Sequence, residues 1–153
     1  MAGWRNGFWI AGVVLLLACA TPPTDAKVED DLRWYSADVP GLGRAPRIVV
    51  VNAGSSMDAW SRVTESTADG PSIQAQALGR DLAKGARQRI GIVIGGPFPK
   101  LNDRTVLDAL TASGKEALPG LTVVLVSPRP PEEDLRRVAT RRRVRLIHRA
   151  LPE

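Results

Sequence analysis

Cysteine and histidine each occur once, as Cys19 and His148, in a chain of 153 residues. A single cysteine excludes an internal disulfide. One cysteine and one histidine also fall short of the usual zinc ligand set, so no metal is expected. Aromatic residues make up only 5% of the chain, which leaves Val, Ile, Leu and Ala to build a core. No internal repeat or low-complexity run is present, which excludes a solenoid. No apolar run reaches the roughly 20 residues of a comfortable membrane-spanning helix. A hydrophobic content of 44% and a charged content of 24% exclude wholesale disorder. The length has room for one domain of ordinary size.

Acidic residues are outnumbered, and the net charge is +5. A focused positive charge favours anionic partners. Arginine far outnumbers lysine alongside abundant Ala, Gly, Val and Pro, however, and that is also the composition of a GC-rich genome.

The first twenty residues, MAGWRNGFWIAGVVLLLACA, carry one positive charge at Arg5, followed by an uncharged, mostly apolar run over residues 7–18. This is the arrangement of a secretory signal. Its end, Leu16-Leu17-Ala18-Cys19, resembles the lipobox of bacterial lipoproteins, with Leu17 in place of a smaller residue. The resemblance implies cleavage before Cys19, a diacylglyceryl group on its thiol and an acylated new N-terminus. Ala20 stands where an Asp would retain such a protein at the inner membrane, which favours the outer membrane. Two alternatives stay open: the Ala-Cys-Ala sequence also fits ordinary signal cleavage to a soluble periplasmic protein, and the run could remain as an uncleaved anchor. A lone cysteine at the cleavage point is what a lipid anchor requires.

Residues 20–46 mix prolines, glycines and an acidic run at Glu29, Asp30 and Asp31, with no sustained apolar period. They read as a flexible tether, with a reach of about 90 Å when fully extended. Trp34 and Tyr35 stand out, either packing back on the domain or forming a docking motif. The expected organisation is a signal peptide over residues 1–18, a lipidated N-terminus and tether over 19–46, and one domain over 47–153.

Within that domain the apolar pattern becomes regular. Residues 48–52, 90–94 and 121–126 are buried-type strands, and 144–147 a short final one. Between them, residues 72–88 place Ile73, Ala77, Leu78, Leu82 and Ala86 near one helical face, with Gly79 and Gly85 as weak points. Asn102 is a candidate cap for a helix through Leu110, and Pro131-Glu132-Glu133-Asp134 opens another with favourable negative charge. Strands alternating with helices predict a small three-layer α/β domain, Rossmann-like or flavodoxin-like, with about four parallel strands. Val50 and Val124 are expected among its most buried residues.

The turn after the first strand, Asn52-Ala53-Gly54-Ser55-Ser56, resembles the first phosphate-binding hairpin of acetate kinases. The chain lacks both the following strand and the length of that family's two lobes. Gly54 stands without the other glycines of a dinucleotide fingerprint, and the nucleophile elbow lacks its second glycine, so no cofactor is expected. Weak catalytic candidates remain: Ser55 or Ser56 as nucleophile, Asp58 and His148 as its partners. Asn52, Gly54, Gly95, Gly96 and Lys100 form a possible ligand rim at the carboxyl ends of the strands, with the first strand expected to be central. Phe98 adds a ring to that rim. Residues 136–149 hold seven arginines, of which Arg141, Arg142, Arg143 and Arg145 are candidates for anionic docking. Export makes nucleic acid an unsuitable partner for them.

The leading expectation is a non-catalytic, lipid-anchored envelope protein, an adaptor or assembly factor of a secretion, pilus, polysaccharide or cell-wall machine. Its partners would be the membrane, through the lipid, and an envelope protein or anionic envelope component. The alternative is a periplasmic hydrolase or small-ligand binder using the Ser55/Ser56 rim.

Overall fold

A computed structural model describes residues 25–43, 45–65 and 70–151. The signal peptide and Cys19 lie outside the described residues. Among the described residues, nine elements follow in chain order. They are α1 (Asp25–Ser36), β1 (Arg47–Val50), α2 (Ser56–Glu65), α3 (Ile73–Gln88), β2 (Ile92–Gly95), α4 (Pro99–Ala112), β3 (Thr122–Val126), α5 (Glu133–Arg141) and β4 (Arg145–Arg149). The four strands form one all-parallel sheet in the order β1-β2-β3-β4, so the domain is the expected small three-layer α/β fold.

The sequential order has a consequence. Right-handed crossovers that always step the same way put every connecting helix on the same face of the sheet. Alternate side chains show it. Ile92, Ile94, Val123 and Leu125 pack with Ala59, Leu78, Leu82, Val106, Leu110 and Leu135 from the crossover helices. The residues between them, Val93, Val124 and Val126, point the other way and pack with Leu32, Val39 and Leu42. Residues 25–43 supply most of the cover of that second face among the described residues, with Leu151 packing beside them.

The flexible tether therefore needs correcting. From Asp25 onward its residues form α1 and a covering segment that belong to the domain. Val28, Leu32 and Tyr35 repeat at helical spacing on one side of α1 and face the sheet. The helix crosses the strands instead of following them. At its start, the Asp25 carboxylate accepts a 2.6 Å hydrogen bond from Asn52 Nδ2 at the carboxyl end of β1. Leu32 then sits over Gly95 in β2. Beyond its end, Asp38 pairs with Arg149 of β4 at 2.9 Å, and Pro40 accepts a 3.2 Å hydrogen bond from Arg145.

Two glycines of this face admit the cover. A Cβ on Gly95 would lie 2.4 Å from Leu32 Cδ2, and one on Gly91 2.2 Å from Leu42 Cδ2. Each leucine occupies the space of a missing side chain. Trp34 stays exposed and meets Tyr35 edge-on at a centroid distance of 4.9 Å.

Other local expectations shift. The first strand is an edge strand, so Val50 is only half-buried, whereas Val124 is fully buried. Residues 56–65, assigned to no element from sequence, form α2. Ser72 caps α3 by accepting from Ala75 N–H, and Ile73 turns out to solvent while Gly79 and Gly85 face inward. Asn102 does not cap α4. That helix starts three residues earlier, at Pro99, and Asn102 is fully buried inside it.

If α1 is part of the core, Leu32→Ala should lower unfolding stability by about 2–5 kcal/mol, the range for buried leucine truncation. Trp34→Ala, two residues away on the exposed side, should stay within about 0.5 kcal/mol of wild type. Urea unfolding followed by circular dichroism separates the outcomes; equal midpoints for Leu32→Ala and wild type would show residues 25–43 to be dispensable.

Candidate functional site

The turn after β1 closes on itself. Ser55 Oγ accepts a hydrogen bond from Asp58 N–H at 3.1 Å, while Asp58 Oδ2 accepts from Gly54 N–H at 3.0 Å. This reciprocal arrangement is a variant of the capping box at the start of α2: Ser55 satisfies a first-turn donor, and Asp58 reaches back to the N–H of the residue before the cap. Asn52 Oδ1 accepts from Ala53 N–H, and Asp58 also pairs with Arg62 at 3.2 Å. The polar groups of Asn52, Ser55 and Asp58 are thus engaged in starting α2 and holding the first residue of α1.

The weak catalytic set is not brought together. Ser55, Ser56 and Asp58 follow β1 at one edge of the sheet, and His148 lies in β4 at the other. Three strand spacings of roughly 4.8 Å put about 14 Å between those strands. The expectation of a central first strand is corrected at the same time. His148 Nε2 donates to the Ser127 carbonyl at 2.9 Å, which ties its ring to the adjacent strand end.

Of the rim residues, Gly96 has a packing role. A Cβ there would fall 1.9 Å from the Val51 carbonyl oxygen, so only glycine lets β1 and β2 leave the sheet side by side. Its own carbonyl accepts from Asn102 Nδ2 at 3.1 Å, while Asn102 Oδ1 is buried without a hydrogen-bond partner. Gly95 accommodates Leu32, as above. Gly54 is exposed, its N–H held by Asp58, and Lys100 is exposed at the start of α4.

Beside this rim lies a groove of about 400 Å³. Ala59, Trp60 and Val63 of α2 form one wall, and Phe98, Pro99 and Leu101 form the other. Ser56, Lys100 and Arg129 complete its lining. Trp60 is 62% exposed and Met57, on the same helix, 74%. The groove is therefore apolar with two cations at its border. Of its lining, the sequence points to Ser56, Phe98 and Lys100 but not to Trp60, Leu101 or Arg129. The signal was there: Ala59 and Val63 are spaced to share one face of a helix, with Trp60 beside them.

Under the same edge, Asp103 is 3% exposed and accepts a 3.0 Å hydrogen bond from Glu132 N–H at the start of α5. Burial raises its pKa above the ordinary 3.8, and the nearby Glu132 carboxylate adds to the rise. The Glu132 N–H hydrogen bond, Arg129 and His148 oppose it without cancelling it. No group of three or more His, Cys, Asp or Glu residues able to hold a metal occurs among the described residues.

The arginine cluster divides. Arg142, a candidate for anionic docking from the sequence, is only 6% exposed. Its Nη1 donates to the Leu110 carbonyl at 2.7 Å and to the Gly114 carbonyl, and its Nη2 donates to Ser113 Oγ at 3.0 Å. It closes the carboxyl end of α4, where orphan carbonyls and the helix dipole favour a cation. Arg145 reaches back to Pro40. Arg141 and Arg143 remain exposed at the amino edge of the sheet, opposite the groove.

The chain matches no protein-family model, no curated protein and no solved structure.

Two predictions follow from the buried charges. Arg142→Gln should destabilise the domain by about 2–4 kcal/mol, because charge-assisted bonds are lost and buried carbonyls are left unpaired. Arg141→Gln and Arg143→Gln should each stay within about 0.5 kcal/mol. Equal denaturation midpoints for all three would remove Arg142 from its capping role.

Asp103 binds its proton more tightly folded than unfolded. Its contribution to stability is full below 3.8 and is lost as pH rises through its higher folded value. In Asp103→Asn the side-chain oxygen can still accept from Glu132 N–H, but no charge develops. Its melting temperature relative to wild type should therefore rise between acid and neutral pH. A constant difference across that window would show that ionising Asp103 costs the fold nothing.

Proposed function

We propose that the protein is a lipid-anchored component of the bacterial cell envelope, whose α/β domain serves as a non-catalytic adaptor or assembly factor for a larger envelope machine. One observation carries the reading: the only cysteine follows a short, charge-free apolar run in a lipobox-like sequence. It stands six residues before Asp25, where α1 begins. Outer-membrane placement follows from Ala20. The dispersal of Ser55, Ser56, Asp58 and His148 supports a binding role over a hydrolytic one.

On this reading the linker between lipid and domain is short. Six residues span at most about 20 Å, so the domain works close to the bilayer surface. The exposed Arg141 and Arg143, with the Arg145 guanidinium at the same edge, supply the surface for an acidic protein or anionic envelope component. Arg142 takes no part in it.

Metabolic labelling of cells with a palmitate analogue tests the anchor. The wild-type protein should incorporate the label and fractionate with membranes, and Cys19→Ser should do neither. Equal labelling of the two would overturn the proposal.

A further inference from the structure

The groove between α2 and α4 has a polarity that its apolar walls alone do not explain. At its border the Nε and Nη2 atoms of Arg129 are buried and make no hydrogen bond within the protein. The Glu132 carboxylate comes no nearer than 3.9 Å to Nη2, beyond hydrogen-bonding range. Buried donors left without acceptors are costly, more so where the group is charged. Lys100, which is exposed, lines the same groove.

The amino end of α4 opens on the same spot. Its cap is Phe98, which offers no side-chain acceptor to the first-turn N–H groups, and Pro99 follows at the first helical position. The positive end of a 14-residue helix is thus directed to the border where the two cations lie. The nearby acids are engaged: Glu132 in a long 3.9 Å ion pair with Arg129 itself, Asp58 with Gly54 N–H and Arg62, Asp103 with Glu132 N–H. Along the walls, Trp60 leaves a large ring mostly in water. The volume of about 400 Å³ lies within the range of small-molecule sites, roughly 300–1,000 Å³.

We propose that this groove binds an anionic amphiphile, with an acyl chain lying between Ala59, Trp60, Val63, Phe98 and Leu101 and a carboxylate or phosphate head group held by Arg129 and Lys100. Apolar walls alone would take any lipid-like molecule. The guanidinium donors that lack a hydrogen-bond acceptor and the uncapped helix end select the anion. Free fatty acids and anionic phospholipids share this chemistry. The site does not depend on acylation of Cys19, so failure of the palmitate labelling and failure of this proposal are separate results.

The test uses the unacylated chain from Ala20 onward, which keeps every residue of both cores, since the first of them is Val28. In that chain Trp34→Phe leaves Trp60 as the single tryptophan, a reporter on the groove wall. Titration with monomeric myristate should give a saturable blue shift of its emission. Arg129→Gln should weaken binding by about tenfold, as expected for loss of one charge-assisted contact. Lys100→Gln, at an exposed position that leaves folding alone, should weaken it severalfold. Myristyl alcohol, with the same chain and no charge, should bind about tenfold more weakly than myristate.

Vesicles of phosphatidylglycerol form the second arm. A response to both myristate and vesicles supports the site and assigns its source as membrane lipid, and a response to myristate alone assigns the free acid. A response to vesicles without one to myristate overturns the groove in favour of surface docking. No emission shift, equal affinity for acid and alcohol, or indifference to both substitutions would also overturn it.

Discussion

Four parallel strands laid down in sequence order can wind in only one direction. Each right-handed crossover returns its helix to the same face, so among the described residues the opposite face of the sheet acquires no helix, and little beyond Leu151, from the chain that follows β1. A row of valines would stand in water there, each forfeiting about 1.5–3 kcal/mol of burial. A domain of this size is stable by only about 5–15 kcal/mol. The cover has to come from chain preceding the sheet, and α1 with residues 37–43 supplies it. Leu32 over Gly95, Leu42 over Gly91 and the ties from Arg145 and Arg149 to Pro40 and Asp38 are the means of attachment.

That constraint also fixes where the domain is held. Because α1 crosses the strands, its first residue lies over the carboxyl end of β1, beside the Asn52 turn and on the same edge as the groove. Whatever precedes Asp25 enters at this edge. If Cys19 carries the lipid, the groove edge is the one nearest the bilayer, and Arg141 and Arg143 at the amino edge are directed away from it. A strand of five residues at about 3.3 Å each separates the two edges by roughly 16 Å. The two candidate surfaces would then face different partners.

The strands were legible because parallel strands buried on both faces read as continuous apolar runs, and three of them stand out plainly against their surroundings. Strand order was not, since periodicity reports burial and says nothing of which neighbour a strand chooses. That is why β1 was expected at the centre and Val50 in the deep core. The helix α1 escaped notice for a different reason. Its stripe of Val28, Leu32 and Tyr35 has the right spacing, but the acidic run and the single apolar residue per turn left no contrast to detect. In α2 the apolar face of Ala59 and Val63 is short, and its neighbours Met57 and Trp60 stay exposed, so the helix was easily passed over. The site was legible in part: the rim loops lie where strand ends predicted them, whereas Arg129 shows its unpaired nitrogens only in three dimensions.

Charge is where counting misled most, and Arg142 shows why. A run of arginines read from sequence is a sum of unit charges, and each was assigned to solvent or to an anionic partner. In the fold, a guanidinium beside a helix end meets carbonyls that have no intrahelical partner, and the bonds it makes there belong to stability. Asp103 plays the complementary part, accepting the backbone N–H where α5 begins. The ends of adjacent helices are thus closed by buried charges of opposite sign, each supplied from a different element: Arg142 beyond α5 closes α4, and Asp103 within α4 opens α5. Such cross-closure fixes the two helices relative to each other. Arg129, in the connection between β3 and α5, is held close to this frame but lacks a hydrogen-bond acceptor for two of its buried nitrogens. The same physics that makes Arg142 structural is what would let Arg129, with two such nitrogens, hold the proposed anion.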